Sequence, residues 1–151
     1  MKTIKMSCLA LALAVSACSV ALADSTEAYV EFLNSGQPSA RNLPFSKAVR
    51  VGRTLYLAGE IGTNKGKLVS GGITQEATQA LDNIQQTLNE YDYFMSDVVK
   101  CTVMLGDISD WPAFNEVYIS YFSKPYPARS AFGANGLALN ASVEVECIAA
   151  K

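Results

Sequence analysis

No histidine occurs anywhere in the 151 residues. That excludes a histidine general base, a Ser-His-Asp triad and every zinc site that needs an imidazole. A cationic surplus is missing too: 12 Lys and Arg face 14 Asp and Glu, for a net charge of −2. A nucleic-acid surface would need a basic face or stripe, so no nucleic-acid partner is expected. Cysteines are few, at 8, 18, 101 and 147, and two thiols without other soft ligands make no convincing metal set. No repeat, low-complexity segment or phosphate-cradling glycine loop appears. Chemistry therefore falls to carboxylates, Arg, Lys, Tyr, hydroxyls, thiols and backbone groups, with neither metal nor organic cofactor expected.

What is present begins with an address. Lys2 and Lys5 precede an apolar run from Met6 to about Ala23, which ends in Ala21-Leu22-Ala23 before Asp24. A positive start, an apolar stretch and a small-x-small end predict a cleaved signal peptide over 1–23 and a periplasmic or secreted protein. Val15-Ser16-Ala17-Cys18 also fits a lipoprotein box, the alternative being a lipid anchor at Cys18. No membrane span is expected in the mature form. Loss of Lys2 and Lys5 takes the net charge from −2 to −4. Cys101 and Cys147 then remain. An oxidising compartment permits a bridge between them, but they read more readily as buried small apolar residues.

Residues 24–43 read as a surface arm, and 44–151 as one domain. Lys47–Val51 and Thr54–Ile61 are β-type runs joined by Gly52-Arg53, which suits a type II′ turn. Asn64-Lys65-Gly66-Lys67 is a second turn, before a short Leu68-Val69 strand. From Ile73 the period changes: Ile73, Ala77, Ala80, Leu81, Ile84 and Leu88 recur at three and four, a helix with Thr74 as its N-cap. Asp97–Leu105 is a strand, and Ser109-Asp110-Trp111-Pro112 starts a second helix whose Trp111, Phe114, Val117, Tyr118, Tyr121 and Phe122 form a core stripe. Strands at Ala128–Ala134 and Ser142–Ala149 complete the order ββ(β)αβαββ. Two helices covering one face of a mixed sheet make an α+β domain.

Arg129 stands out on spacing alone. It opens a strand after Pro125-Tyr126-Pro127-Ala128, beside small neighbours Ser130 and Ala131. A guanidinium there offers a planar fork to a carboxylate, or forms a structural ion pair. Glu144 and Glu146 alternate with Val143 and Val145, so both point away from the valine face, towards solvent or a subunit interface. A carboxylate there serves as a general base or as a solvated face. Glu60 carries the same ambiguity.

Six blocks then follow in order: Pro44-Phe45-Ser46-x-Ala48-Val49, Leu57-Ala58-Gly59-Glu60-Ile61, Asp97-Val98-Val99-Lys100-x-Thr102-Val103, Phe114-Asn115-x-x-Tyr118, Tyr126-Pro127-Ala128-Arg129-Ser130 and Val143-Glu144-Val145-Glu146. Together they resemble the Rid/YjgF family of reactive-intermediate (enamine/imine) deaminases over about residues 44–150. The resemblance implies a chorismate-mutase-like α+β fold, a homotrimer with clefts between subunits, and hydrolysis of small 2-imino acids to 2-oxo acids and ammonia. It implies Arg129 on the substrate carboxylate, Glu144 near the attacking water, and a cleft shared by Gly59, Asn115, Phe45 and Ala131.

The chain also departs from the family. Ala58-Gly59-Glu60 stands where deaminating members often have Ser-Gly-Gln, which loses a hydroxyl and adds a charge that would repel a substrate carboxylate if it faced the cleft. A non-catalytic site for small carboxylates is the alternative function. Ribonuclease activity, attributed to some members, lacks the cationic path that RNA needs.

Overall fold

A computed structural model describes residues 29–34 and 43–151. The signal segment expected at 1–23, with Cys18, and most of the arm lie outside the described residues. The arm nevertheless contributes an element: Val30–Leu33 (β1) pairs antiparallel with Ala48–Val51 (β2) and extends the sheet edge. Within the expected surface arm, Val30 and Phe32 alternate with Glu31 and Leu33 as a strand requires.

The chain continues through Thr54–Leu57 (β3), Glu60–Ile61 (β4), Thr63–Asn64 (β5), Lys67–Leu68 (β6), Gly72–Glu90 (α1), Val98–Leu105 (β7), Trp111–Tyr121 (α2), Ala128–Gly133 (β8) and Val143–Ala150 (β9). The sheet order is β1-β2-β3-β9-β7-β8, with β4 also on β9. Only β7 and β8 run parallel, and α2 supplies the crossover that a parallel pair needs. Both hairpin expectations fit: Gly52 alone is left-handed (φ 56), whereas Lys65 and Gly66 both are (φ 50 and 76), as a type I′ turn demands.

One expected strand is two. The run Thr54–Ile61 breaks at Ala58 and Gly59, so Tyr56 faces Ile148 while Glu60 faces Val145. Four residues advance on one side against three on the other, which is a bulge. The α1 cap also differs from expectation. Gly71, with φ 117, turns the chain into the helix, and Thr74 lies inside its first turn.

The core lies between the sheet and the helices. Ala77, Ala80, Leu81, Ile84 and Leu88 of α1 are fully buried against Leu55, Val103, Val143 and Val145. Each such large aliphatic side chain contributes about 1.5–3 kcal/mol. Glu76, buried at the start of α1, accepts the Ser142 N–H (2.6 Å) and hydroxyl (2.8 Å), tying the helix to the foot of β9. The Tyr121 hydroxyl reaches Asp82 Oδ1 (2.7 Å) and the Thr78 carbonyl (3.1 Å), clasping α2 to α1. Burial first, then the Asp82 carboxylate, raises that phenol well above its usual range.

Cys101 and Cys147 are buried, as the sequence suggests, but they are not free thiols. They are direct partners on β7 and β9 and form a disulfide, which corrects the preference for two unbonded residues. Opposed positions on neighbouring strands bring two Cβ atoms within bonding reach, and sequence spacing does not show which residues are opposed. On the other face of the sheet no helix packs among the described residues. Phe32, Tyr56 and Phe132 stand there 70%, 45% and 48% exposed.

Candidate active site

β8 places Arg129 level with Cys101, on the helix-covered side of the sheet edge. There α2 presents three rings to it. The guanidinium carbon lies 4.7 Å from the Tyr118 ring centre, and 5.8 Å from those of Trp111 and Phe114. A cation within about 6 Å of a ring centre is held by the ring quadrupole. Among the described residues, Arg129 makes no ion pair and its side chain donates no hydrogen bond. The ion-pair alternative left open by the sequence is therefore not what the structure builds.

Beside Arg129 is a cavity of about 360 Å³ lined by Asn115, Tyr118, Ile119, Tyr126, Pro127 and Arg129. Asn115 Oδ1 and the Tyr118 hydroxyl are both buried there without a partner among the described residues. Unmatched buried polar atoms are uncommon and call for an explanation. Burial raises the Tyr118 phenol above its ordinary value, partly offset by the Arg129 charge, so it stays a neutral donor. Ala131 lies two residues beyond Arg129 on the same side of β8 and packs on the core.

Glu144 belongs to a different place. On β9 it faces Met104 of β7 and Ile61 of β4, on the sheet face without helices. Its carboxylate lies against Gly59, where a Cβ would overlap Oε1 and stand 3.0 Å from Cδ. Glycine at the bulge is thus the condition for the carboxylate's position. Glu60, next along, is ion-paired with Lys47, and both side chains are largely buried. The concern that Glu60 would present a bare negative charge is resolved by Lys47. Phe45 is half exposed at the entry to β2.

The sequence-derived residues therefore fall into two groups. Arg129, Asn115 and Ala131 gather at the β8–α2 corner, and Gly59 and Glu144 at the β4–β9 seam. Two strand spacings and three residues separate Arg129 from Glu144, roughly 14 Å, and they point to opposite faces. Within one chain they do not meet. Sequence reasoning missed the Arg129 contacts of Trp111 and Tyr118, which it assigned to the core alone, and the partner of Glu60. The spacing of Phe114 and Tyr118, one helical turn apart, was the available signal. No group of three or more metal-ligating side chains occurs among the described residues, and no described helix is long and apolar enough to cross a membrane.

Comparison with known proteins converges on one family. The family described as Endoribonuclease L-PSP matches residues 36–151. The 2-iminobutanoate/2-iminopropanoate deaminase of Capra hircus is 44% identical over 108 residues, 70% of this chain and 79% of that protein. The Homo sapiens protein of the same name is 43% identical over the same shares. The crystal structure of RidA from an Antarctic Psychrobacter superposes with a TM-score of 0.70 at 31% identity, covering 83% of this chain and 98% of that one. The mixed sheet with two helices on one face is the fold of these structures, and the chain belongs to the Rid/YjgF (endoribonuclease L-PSP) family.

Proposed function

We propose that this protein hydrolyses small 2-imino acids to 2-oxo acids and ammonia, at clefts completed between copies of the chain in a homotrimer. The carrying observation is Arg129: a cation at a cavity, held by rings rather than by an acid, with its N–H edges unused. A 2-imino acid is a small carboxylate next to an electrophilic carbon, and a guanidinium fork suits its planar carboxylate. Glu144 acts as general base, taking a proton from water as the oxygen bonds to C2. Attack opens the C=N π bond of the iminium form to give a neutral carbinolamine. Glu144 returns its proton to the nitrogen, and the C–N bond breaks as the hydroxyl loses its proton to solvent, leaving ammonia and the 2-oxo acid. Imines hydrolyse readily, so anchoring and one ordered water supply the main requirements.

The separation of Arg129 from Glu144 supports the intersubunit cleft, since an Arg129 corner can meet a Glu144 seam only from a second copy. The open face of the sheet exposes Phe32, Tyr56 and Phe132, and such exposed large apolar side chains are consistent with self-association. Gly59, Asn115, Phe45 and Ala131 complete the cleft in this reading. We further place the protein outside the cytoplasm, in the periplasm or secreted. The Cys101–Cys147 bond suits an oxidising compartment, where amino-acid oxidation would supply imines.

The test is an imine-trapping assay. An amino-acid oxidase generates the imine, semicarbazide competes for it, and the purified protein should reduce the trapped product. Loss of that effect in Arg129→Ala is expected. A folded trimer that accelerates no imine would leave a carboxylate-binding module on the same fold.

A further inference from the structure

Arginine on a strand usually finds a carboxylate, and this chain has acids to spare: Arg50 takes Glu31 at 3.1 Å, and Lys47 takes Glu60. Arg129 takes none among the described residues. Three rings of α2 stand around it instead, Tyr118 at 4.7 Å and Trp111 and Phe114 at 5.8 Å. The difference matters for an anion site. A carboxylate partner would occupy the N–H fork and cancel the charge, whereas ring faces steady the cation and leave both available.

We propose that Tyr118 is a positioning residue of this site: its ring, the closest of the three, holds the Arg129 guanidinium in place of an acidic partner. The inference rests on the reading of Arg129 as a carboxylate anchor. Tyr118 is 3% exposed, so its ring is fixed by packing, with Phe114 and Phe122 centred 5.6 and 4.6 Å away. A fixed ring pre-orients a long, rotamer-rich side chain and removes ordering cost from ligand binding. The hydroxyl, buried at the cavity without a partner among the described residues, is a separate variable that Tyr118→Phe removes.

The experiment replaces Tyr118 with Phe and then with mono-, di- and trifluorinated phenylalanine, which keep the ring's shape while draining charge from its face. Calorimetric titration with 2-oxobutanoate reads the carboxylate affinity directly, without turnover. Tyr118→Phe, which removes the hydroxyl and keeps the ring, is the reference against which the fluorinated series is read. The dissociation constant should then climb with each fluorine, by about tenfold across the series, while the thermal midpoint holds. In the trapping assay KM should follow the same trend with kcat held. A flat series, or no 2-oxobutanoate binding by the wild-type protein at millimolar concentration, overturns the proposal. A graded series in a protein that hydrolyses no imine would uphold Tyr118 and sink the deaminase reading alone. Turnover with a flat series would do the reverse.

Discussion

The β8–α2 corner and the β4–β9 seam hold their charges by opposite means. At the corner a lone guanidinium sits among rings, with no ion pair among the described residues. At the seam Glu60 is ion-paired with Lys47, and Glu144, without an ion pair among the described residues, lies packed against Gly59. A cation without a counter-ion is a place for an anion to arrive. A carboxylate lodged on glycine at an open sheet face is placed to meet water. In the proposed reaction the two regions would supply complementary halves, one from each of two copies of the chain.

The largest effects should separate the halves. Glu144→Gln is expected to lower kcat for imine hydrolysis by about 10²–10⁴, the usual worth of a general base, while 2-oxobutanoate binds almost as before. Arg129→Ala should remove that binding and reduce kcat/KM by about 10²–10³, by loss of a charge-assisted bidentate contact. Titration calorimetry beside the trapping assay distinguishes them. If Glu144→Gln weakens binding as much as Arg129→Ala does, the division into an anchor and a base fails.

Below these comes the bond that keeps the halves in register. Arg129 is level with Cys101, Cys101 with Cys147, and Glu144 is three residues from Cys147. The disulfide spans a separation of 46 residues. Replacing both cysteines with alanine should cost about 4 kcal/mol on the chain-entropy account. Urea unfolding of the double variant against wild type checks this, and an unchanged midpoint would mean that strand pairing alone sets the register.

The disulfide also shows where sequence reading stops. Periodicity revealed α1, α2 and the alternation of β9, because each places apolar side chains at a fixed spacing along one element. Which residue of β7 stands opposite which residue of β9 is a property of two elements, and so the pairing of Cys101 with Cys147 was not legible. The bulge at Ala58 and Gly59 was hidden for the same reason. Its cause is the partner strand, which advances three residues while this one advances four. The candidate site residues came from family resemblance, with Arg129 also picked out by its spacing and the open-face position of Glu144 by alternation. The distance between the two was not in the sequence. Tyr118 looked like core because it is core and Trp111 packs against that core, and only the structure shows Arg129 against them.

A smaller effect would sharpen the account of the seam. Gly59→Ala adds a Cβ where Glu144 Oε1 now lies, so the carboxylate must swing away. A fall in kcat of about tenfold is expected, a shift of roughly 1 Å being enough to lose that much. Affinity for 2-oxobutanoate should hold, because the corner is untouched. A crystal structure of the variant with Glu144 unmoved would contradict the glycine argument.

The smallest effect lies at the entry to the corner. Asp107 caps the turn that leads into α2, its Oδ1 accepting the Ser109 N–H at 2.8 Å. That bond first, and the Ser109 side chain second, lower its pKa from the ordinary 3.8. A carboxyl lowered in the folded state adds stability above its unfolded value and loses it as pH falls through the folded one. The increment is therefore whole at neutral pH and disappears only in acid, below 3.8. Asp107→Asn keeps the acceptor and removes the titration. Thermal midpoints of wild type and variant, followed from neutral pH into that acid range, should converge as the wild type loses its increment. Curves that stay parallel would show that Asp107 contributes as a neutral cap alone. Ligand affinity at neutral pH should be the same in both, since Asp107 bonds Ser109 ahead of α2 and does not line the cavity beside Arg129.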